Sequence, residues 1–251
     1  MLGLPAGIRA CLFDVDGVLT ETAIVHRAAW RRTFDTFLSG YPGLTPEQAA
    51  PFTDADYNAH VDGKPRKDGV RDFLASREIN LPEGSVEDGP DAATVEGVAT
   101  RKNDLILAEL EENGVTPYPG SLRYLEAARS AGLRIAAVTA SANGEQVIEA
   151  GGFTEYCEVR IDGLVAERDN LRGKPAPDPF LAGARALGVD ASEAAVFEDA
   201  ISGVQAGRAG NFGFVIGVNR VGQAEALRAH GADIVVDDLA ELLDDDAGAR
   251  S

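Results

Sequence analysis

The chain is 251 residues long, room for one domain or two, and 45% of it is hydrophobic, ample for a packed core. Against 23 Lys and Arg stand 41 Asp and Glu, a net charge of −18. That balance disfavours nucleic acid and anionic membranes as partners, and it singles out any local basic cluster as a place for an anionic ligand. Cys11 and Cys157 lie too far apart to suggest a disulfide framework or a Cys-type zinc site. No apolar run approaches the ~20 residues of a membrane helix. Residues 1–9 lack the basic-then-apolar pattern of a signal peptide, so a soluble, cytoplasmic protein is expected.

The first element is the apolar run at 10–13, cut off by Asp14-Val15-Asp16-Gly17. It reads as a buried parallel strand whose carboxyl end opens into a polar loop, where open α/β sheets hold their ligands. Asp and Gly also suit an ordinary turn. Two carboxylates so close repel each other, however, unless a cation or a proton shares the site. A hard cation such as Mg²⁺ takes one or two carboxylates and completes its shell with water and phosphate oxygen. A calcium loop fits less well, because its third acidic ligand and closing Glu are missing.

Residues 22–38 read as a helix, with Ile24, Ala28, Trp30, Phe34, Phe37 and Leu38 at helical spacing and Gly40, Pro42 and Gly43 as its stop. Thr45-Pro46-Glu47 has the form of a helix start. Residues 68–76 are expected to be helical, with Val70, Phe73 and Leu74 on one face, and 82–90 to be loop. A long helix is expected from about 91 to 112, burying Val95, Val98, Leu105, Ile106 and Leu110 and closed by Gly114. No strand is expected between Glu21 and Val115.

After Tyr118-Pro119-Gly120 the pattern alternates. Helices are expected at 121–131, 144–150, 178–187, 202–209, 224–230 and 239–243. Strands are expected at 133–138, 159–161, 195–197, 214–217 and 234–236. Such alternation implies a parallel sheet covered on both faces. The expected fold class is α/β: a doubly wound parallel-sheet core, 1–20 and 117–251, interrupted after its first strand by an all-α cap domain, 21–116. Residues 244–251 are a polar tail expected to fray.

Three further segments fall at strand ends or strand-to-helix loops. Val138-Thr139-Ala140-Ser141 offers a hydroxyl and backbone N–H groups to a phosphate oxygen, or caps for the next helix. Gly173-Lys174-Pro175-Ala176-Pro177 is stiffened by its prolines and can aim Lys174, a point charge, at a phosphoryl group. Phe197-Glu198-Asp199 repeats the motif of carboxylates after an apolar strand.

Phe13-Asp14-Val15-Asp16-Gly17-Val18-Leu19-Thr20-Glu21-Thr22, followed in order by these three segments, resembles the haloacid-dehalogenase-like phosphotransferases over nearly the whole chain. The resemblance implies that Asp14 is the nucleophile, forming an aspartyl-phosphate, and that Asp16 is the general acid/base. It implies that Thr139 binds the transferring phosphoryl group and that Lys174 balances its charge. It also implies one Mg²⁺ on Asp14, the main-chain carbonyl of Asp16 and Asp199, with Glu198 close by.

Within this acidic chain Lys64, Arg66 and Lys67 cluster in and after the apparent turn Gly63-Lys64-Pro65-Arg66, and Arg101-Lys102-Asn103 forms a second group. Charge runs are commonly solvated helix faces, but Arg66 also suits bidentate phosphate binding. These groups, with His26, Trp30, Tyr118-Pro119-Gly120 and Thr139-Ala140-Ser141-Ala142-Asn143, are similar to the β-phosphoglucomutases. That likeness implies that Arg66 holds the non-transferring phosphate and that His26 assists acid/base control. Lys102 and Asn103 would contact sugar and phosphate, Trp30 would line the same site, and Ser141 and Asn143 would lie near the phosphate. The chain departs from the pattern at Asp62, at Ala142 and in a longer loop before the long helix. The leading expectation is a phosphohexomutase interconverting β-D-glucose 1-phosphate and glucose 6-phosphate, a monomer activated by glucose 1,6-bisphosphate, whose cap closes over its substrate. A Mg²⁺-dependent sugar-phosphate phosphatase is the alternative. A non-enzymatic binding module is disfavoured, because Asp14, Asp16, Lys174 and Asp199 are all present.

Overall fold

Strand β1 (Ala10–Phe13) is four apolar residues, none of them exposed. Burial on both faces is what a central parallel strand requires. The computed structural model describes residues 2–243, and the expected polar tail at 244–251 lies outside them. The chain divides into two units. One runs up to Glu21 and resumes at Val115; the other is Thr22–Gly114. Among the described residues no helix is long and apolar enough to cross a membrane.

The second unit is helical. Helix α1 (Thr22–Gly40) buries Ala29, Trp30, Thr33, Phe34 and Leu38. The expected stripe is therefore displaced: Ala28 is exposed and Ile24 is 67% exposed. A short helix, α2 (Asp54–Asp56), starts on a reciprocal cap between Thr53 and Asp56 and runs straight into a π turn, Tyr57–Val61. The sequence pattern announces neither. Helix α3 (Arg66–Ser76) follows Pro65, whose backbone (φ −54°, ψ 140°) is extended. Arg66 is thus the first helical residue, not part of a turn, and the helix begins before the expected Asp68. Helix α4 (Val95–Asn113) is capped by Thr94, whose Oγ1 accepts from the Gly97 N–H at 3.0 Å, and it ends on Gly114 at φ +69°.

Two further expectations for this unit are corrected. Helix α4 starts at Val95 rather than near Asp91. The N–H groups of Val95 and Glu96 donate to Pro82 and Glu83 carbonyls, each at 3.0 Å, and so tie the preceding loop back on itself. Thr45-Pro46-Glu47 opens one turn only, in which Thr45 and Gln48 bond each other. Pro51 then denies a continuing helix its amide. The unit's core is aromatic. Phe34 lies 4.1 Å from Phe73 and 5.0 Å from Phe52 between ring centroids, and Trp30 stacks on Phe34 at 5.1 Å.

In the first unit the chain continues through α5 (Pro119–Ser130), β2 (Arg134–Val138), α6 (Gly144–Ala150), β3 (Val159–Ile161), α7 (Gly163–Arg168) and α8 (Asp178–Ala186). It ends with β4 (Ala194–Glu198), α9 (Ile201–Ala209), β5 (Phe214–Val218), α10 (Ala224–Ala229) and β6 (Ile234–Val236). Helix α7, which the sequence pattern misses, is capped by the Asp162 side chain. The expected last helix is a 3₁₀ turn, Leu239–Leu242. All strand pairs are parallel, in the order β3-β2-β1-β4-β5-β6. One face packs Leu12, Val138, Val196, Phe180 and Val204 together. On strand residues of opposite parity Phe13 stacks on Phe197, centroids 4.3 Å apart, with Tyr124 edge-on to both. Phe13 and Phe197 are register partners. Their packing therefore locks the two strand ends that carry the carboxylates; truncating such a core ring typically costs about 3–5 kcal/mol.

Candidate active site

The strand order reverses direction between β1 and β4, and such switch points open a crevice at the strands' carboxyl ends. Asp14 is the first residue past β1. Glu198 is the last of β4, and Asp199 follows it. The Asp14 N–H donates to the Phe197 carbonyl at 2.9 Å, so the ladder carries the register into the loop.

Lys174, 2% exposed, reaches this point from the proline-rich segment, in which the Lys174–Pro175 peptide is cis. Its Nζ donates to Asp14 Oδ1 at 2.6 Å, to Val138 O at 3.2 Å and to Glu198 Oε1. An ammonium has three protons, and here each has an acceptor. Burial alone would lower the lysine's pKa, but Asp14 and Glu198 outweigh it and hold Lys174 above its ordinary value. Burial pushes the Asp14 carboxyl well above the usual carboxylate range; Lys174 pulls it down, while Glu198 and Asp16 push it up again. A cation beside Asp14 would oppose that rise and favour the ionised, nucleophilic form.

Asp16 is half-buried and accepts a hydrogen bond from Thr139 Oγ1 at 3.0 Å. The same hydroxyl accepts from the Ser141 N–H at 3.0 Å, and Ser141 Oγ accepts from the Asn143 N–H at 3.2 Å. Thr139, Ser141 and Asn143 thus share one compact turn after β2. It is seated on the end of β3: the Gly163 N–H donates to Ser141 O at 2.9 Å, and a Cβ on Gly144 would stand 2.8 Å from both Thr139 Cγ2 and Asp162 Cβ. Asp162 is fully buried and pairs with Arg160 at 3.0 Å.

Carboxylate oxygens of Asp14, Glu198 and Asp199 lie within 4.8 Å of one another, all three buried. With Asp16 they make four acidic groups against the single ammonium of Lys174, and the oxygen-only donor set is one that a hard divalent cation accepts. The fit is uneven. Glu198 Oε1 meets Lys174, Oε2 accepts from the Ala200 N–H at 3.0 Å, and a Cβ on Gly203 would stand 1.8 Å from Oε1. Asp199 instead faces Gly17, where a Cβ would stand 2.0 Å from Oδ2. Asp14 and Asp199 are therefore the carboxylates best suited to a cation, and Glu198 is held against Lys174.

The basic groups of the helical unit sort themselves. Lys64 pairs with Asp72, Lys67 with Glu96 at 2.8 Å, and Arg101 bonds Pro90 O and Asp91. Arg66 instead donates to Asn103 Oδ1. Lys102, 5% exposed, has its Nζ 2.9 Å from His26 Nδ1 and 5.3 Å from the Trp30 ring centre. The structure thus joins Arg66 with Asn103, and Lys102 with His26 and Trp30, through two consecutive residues of α4. Sequence reasoning missed Arg220, whose Nε donates to Gly17 O at 2.7 Å, and Gln223, whose Nε2 donates to Asp199 O at 2.8 Å. Their partners are backbone carbonyls remote in the chain, which leave no mark in residue type.

A buried carboxylate at the switch point of a parallel sheet, gripped by a buried lysine, defines an enzyme core of the phosphoryl-transfer class. The family model described as haloacid dehalogenase-like hydrolase matches residues 8–211, and the chain belongs to that family. Proteins named β-phosphoglucomutase from Mycobacterium bovis and Mycobacterium tuberculosis are each 52% identical to it over 247 residues, covering 97% of this chain and 94% of theirs. The crystal structure of a β-phosphoglucomutase from Clostridium difficile is similar with a TM-score of 0.72 and 26% identity, covering 94% of this chain and 93% of that one.

Proposed function

We propose that the chain is a phosphohexomutase interconverting β-D-glucose 1-phosphate and glucose 6-phosphate through an aspartyl-phosphate on Asp14 and a sugar bisphosphate. The observation that carries this reading is the 52% identity, end to end, to proteins named β-phosphoglucomutase. The core geometry supports the chemistry. In one half-reaction Asp16 takes the proton of a sugar hydroxyl, whose oxygen bonds to the phosphorus held on Asp14 as the aspartyl–phosphorus bond breaks. In the other, the Asp14 carboxylate takes the second phosphoryl group back, and Asp16 returns its proton to the departing sugar oxygen. Asp16 accepts from Thr139 in the structure, a contact that supports its assignment beside the group held by Thr139.

We assign Mg²⁺ to Asp14, Asp199 and the main-chain carbonyl of Asp16; when bound, it offsets charge on the transferring phosphoryl group. Thr139, Ser141 and Asn143 are assigned to that group's oxygens and Lys174 to its charge, with Glu198 acting through Lys174. Arg66 and Asn103 are assigned to the second phosphate, and Lys102, His26 and Trp30 to the sugar and to control of Asp16. Glucose 1,6-bisphosphate is the expected activator, because it phosphorylates Asp14. A cytoplasmic setting accords with the net charge and the two widely separated cysteines.

The test is a panel of hexose phosphates, with and without bisphosphate primer, read for isomer formation and for inorganic phosphate. Isomer formation from β-D-glucose 1-phosphate, with a lag removed by glucose 1,6-bisphosphate, is the expected result. Phosphate release that outpaces isomer formation under every priming condition would make the protein a phosphatase instead.

A further inference from the structure

The loop between β5 and α10 supplies no group to the phosphoryl chemistry above, yet it reaches both carboxylate-bearing segments of the core. Arg220, its side chain 13% exposed, donates from Nε to Gly17 O at 2.7 Å and from Nη1 to Asp237 O at 2.8 Å. Its guanidinium carbon lies over the Tyr118 ring, 3.6 Å from the ring centre, and Nη2 sits 3.5 Å from Val18 O. Three residues on, Gln223 donates to the main-chain oxygen of Asp199 at 2.8 Å. The loop is itself pinned: Asn219 Oδ1 accepts from the Gln223 N–H at 2.7 Å, and Asn219 Nδ2 donates to Asp237 Oδ1 at 2.7 Å.

Gly17 and Asp199 are the two backbones whose spacing matters most. Gly17 adopts φ +93°, and the Asp199 carboxylate fills the space where its side chain would be. Gly17 also follows Asp16 directly and is closed by its own N–H bond to Thr20 O at 2.8 Å. A small shift of either segment changes the distance from Asp199 to Asp14, and a cation tolerates little change in its ligand distances.

We propose that Arg220 and Gln223 are positioning residues: they hold Gly17 and Asp199 at the separation at which Asp199 faces Asp14, and so set how tightly the core takes a divalent cation. This rests on the assignment of that cation to Asp14 and Asp199. The fork of an arginine suits the task. One guanidinium bridges the turn after β1, the segment carrying Asp237 and the Tyr118 ring, which a lysine's single ammonium does not span.

The test is Mn²⁺ binding to the purified full chain, without substrate, followed by electron paramagnetic resonance. Arg220→Ala is expected to weaken Mn²⁺ binding about tenfold and Gln223→Ala about fivefold, the scale of one charge-assisted and one neutral hydrogen bond. Arg220→Lys should recover only part of the loss. The Mg²⁺ concentration for half-maximal activity should rise by matching factors, while kcat at saturating Mg²⁺ stays close to wild type, a split that general loosening of the fold would not give. If Arg220→Ala does not fold, Gln223→Ala decides. Variants that fold and bind Mn²⁺ as the wild type does overturn the positioning role alone. A wild-type chain that binds no Mn²⁺ overturns the metal assignment and this inference with it.

Discussion

The ammonium of Lys174 stands 2.6 Å from Asp14 Oδ1 with both groups buried, and the same nitrogen bonds Glu198. Lys174 is therefore bound to Asp14 in the chain by itself, without substrate. Breaking a buried pair by deleting one partner commonly costs about 3–5 kcal/mol, since the survivor is left uncompensated. The site is thus stiff where the phosphoryl group would be received, which is what charge stabilisation without reorganisation requires.

Asp14→Asn should abolish turnover, by at least about a thousandfold, because an amide is a poor nucleophile. Incubation with acetyl phosphate should leave acid-precipitable phosphate on the wild type and none on the variant. Retention of substantial activity by Asp14→Asn would remove Asp14 from the mechanism.

Chelation should remove activity and added Mg²⁺ should restore it. Asp199→Ala should raise the Mg²⁺ requirement, because a hard cation needs anionic oxygen from more than one segment. Steady-state rates titrated with Mg²⁺ check both; full activity in excess chelator contradicts the assignment.

Arg66→Ala should impair isomerisation by roughly 30- to 150-fold, the effect of losing a charge-assisted contact worth about 2–3 kcal/mol. Phosphorylation of Asp14 by acetyl phosphate, which carries no second phosphate, should stay near the wild-type rate. Equal losses in the two reactions would show that Arg66 does not hold the second phosphate.

The helical unit gives a pH prediction. Burial opposes ionisation of Asp56, but its hydrogen bonds with Thr53 and the nearby Arg77 guanidinium prevail and hold its carboxyl below the usual range. A depressed pKa adds stability above the unfolded-state value near 3.8, and that contribution is lost as the pH falls through the lower folded value. Asp56→Asn should therefore lower stability by about 1 kcal/mol at pH 7. Its deficit relative to wild type should shrink below pH ~4. Chemical denaturation at several pH values measures this, and a deficit independent of pH would refute it.

What the sequence discloses and what it hides follow from the physics of each residue. Asp14, Asp16, Glu198 and Asp199 stand out because charge ends an apolar run abruptly, which burial explains only at strand ends. Lys174 stands out because a run of prolines, Pro175, Pro177 and Pro179, follows it. The π turn at Tyr57–Val61 has no such mark, and Ile24 misleads, because helical spacing fixes which residues share a face but not which face is buried. Helix α7 is too short to show a period, and only Asp162 announces it. Thr45-Pro46 carries a start signal with no apolar stripe behind it, and Pro51 cancels it. Arg220 and Gln223 act on carbonyls, and every residue has one.

The position of β1 has a consequence for how the chain is made. Its sheet partners, β2 and β4, are separated from it by the whole helical unit and, for β4, by most of the sheet unit as well. During synthesis the helical unit has its own aromatic core to collapse around, but Ala10–Phe13 has no strand to pair with until Arg134–Val138 emerges, and its second edge stays open until Ala194–Glu198 follows. At ribosomal rates that interval is roughly 10–40 s. For that time at least one edge of a wholly apolar strand is open, with Asp14 and Asp16 as the charges directly after it. The two carboxylates that would later serve catalysis thus join Arg9, directly before the strand, as the nascent chain's protection against edge-to-edge aggregation.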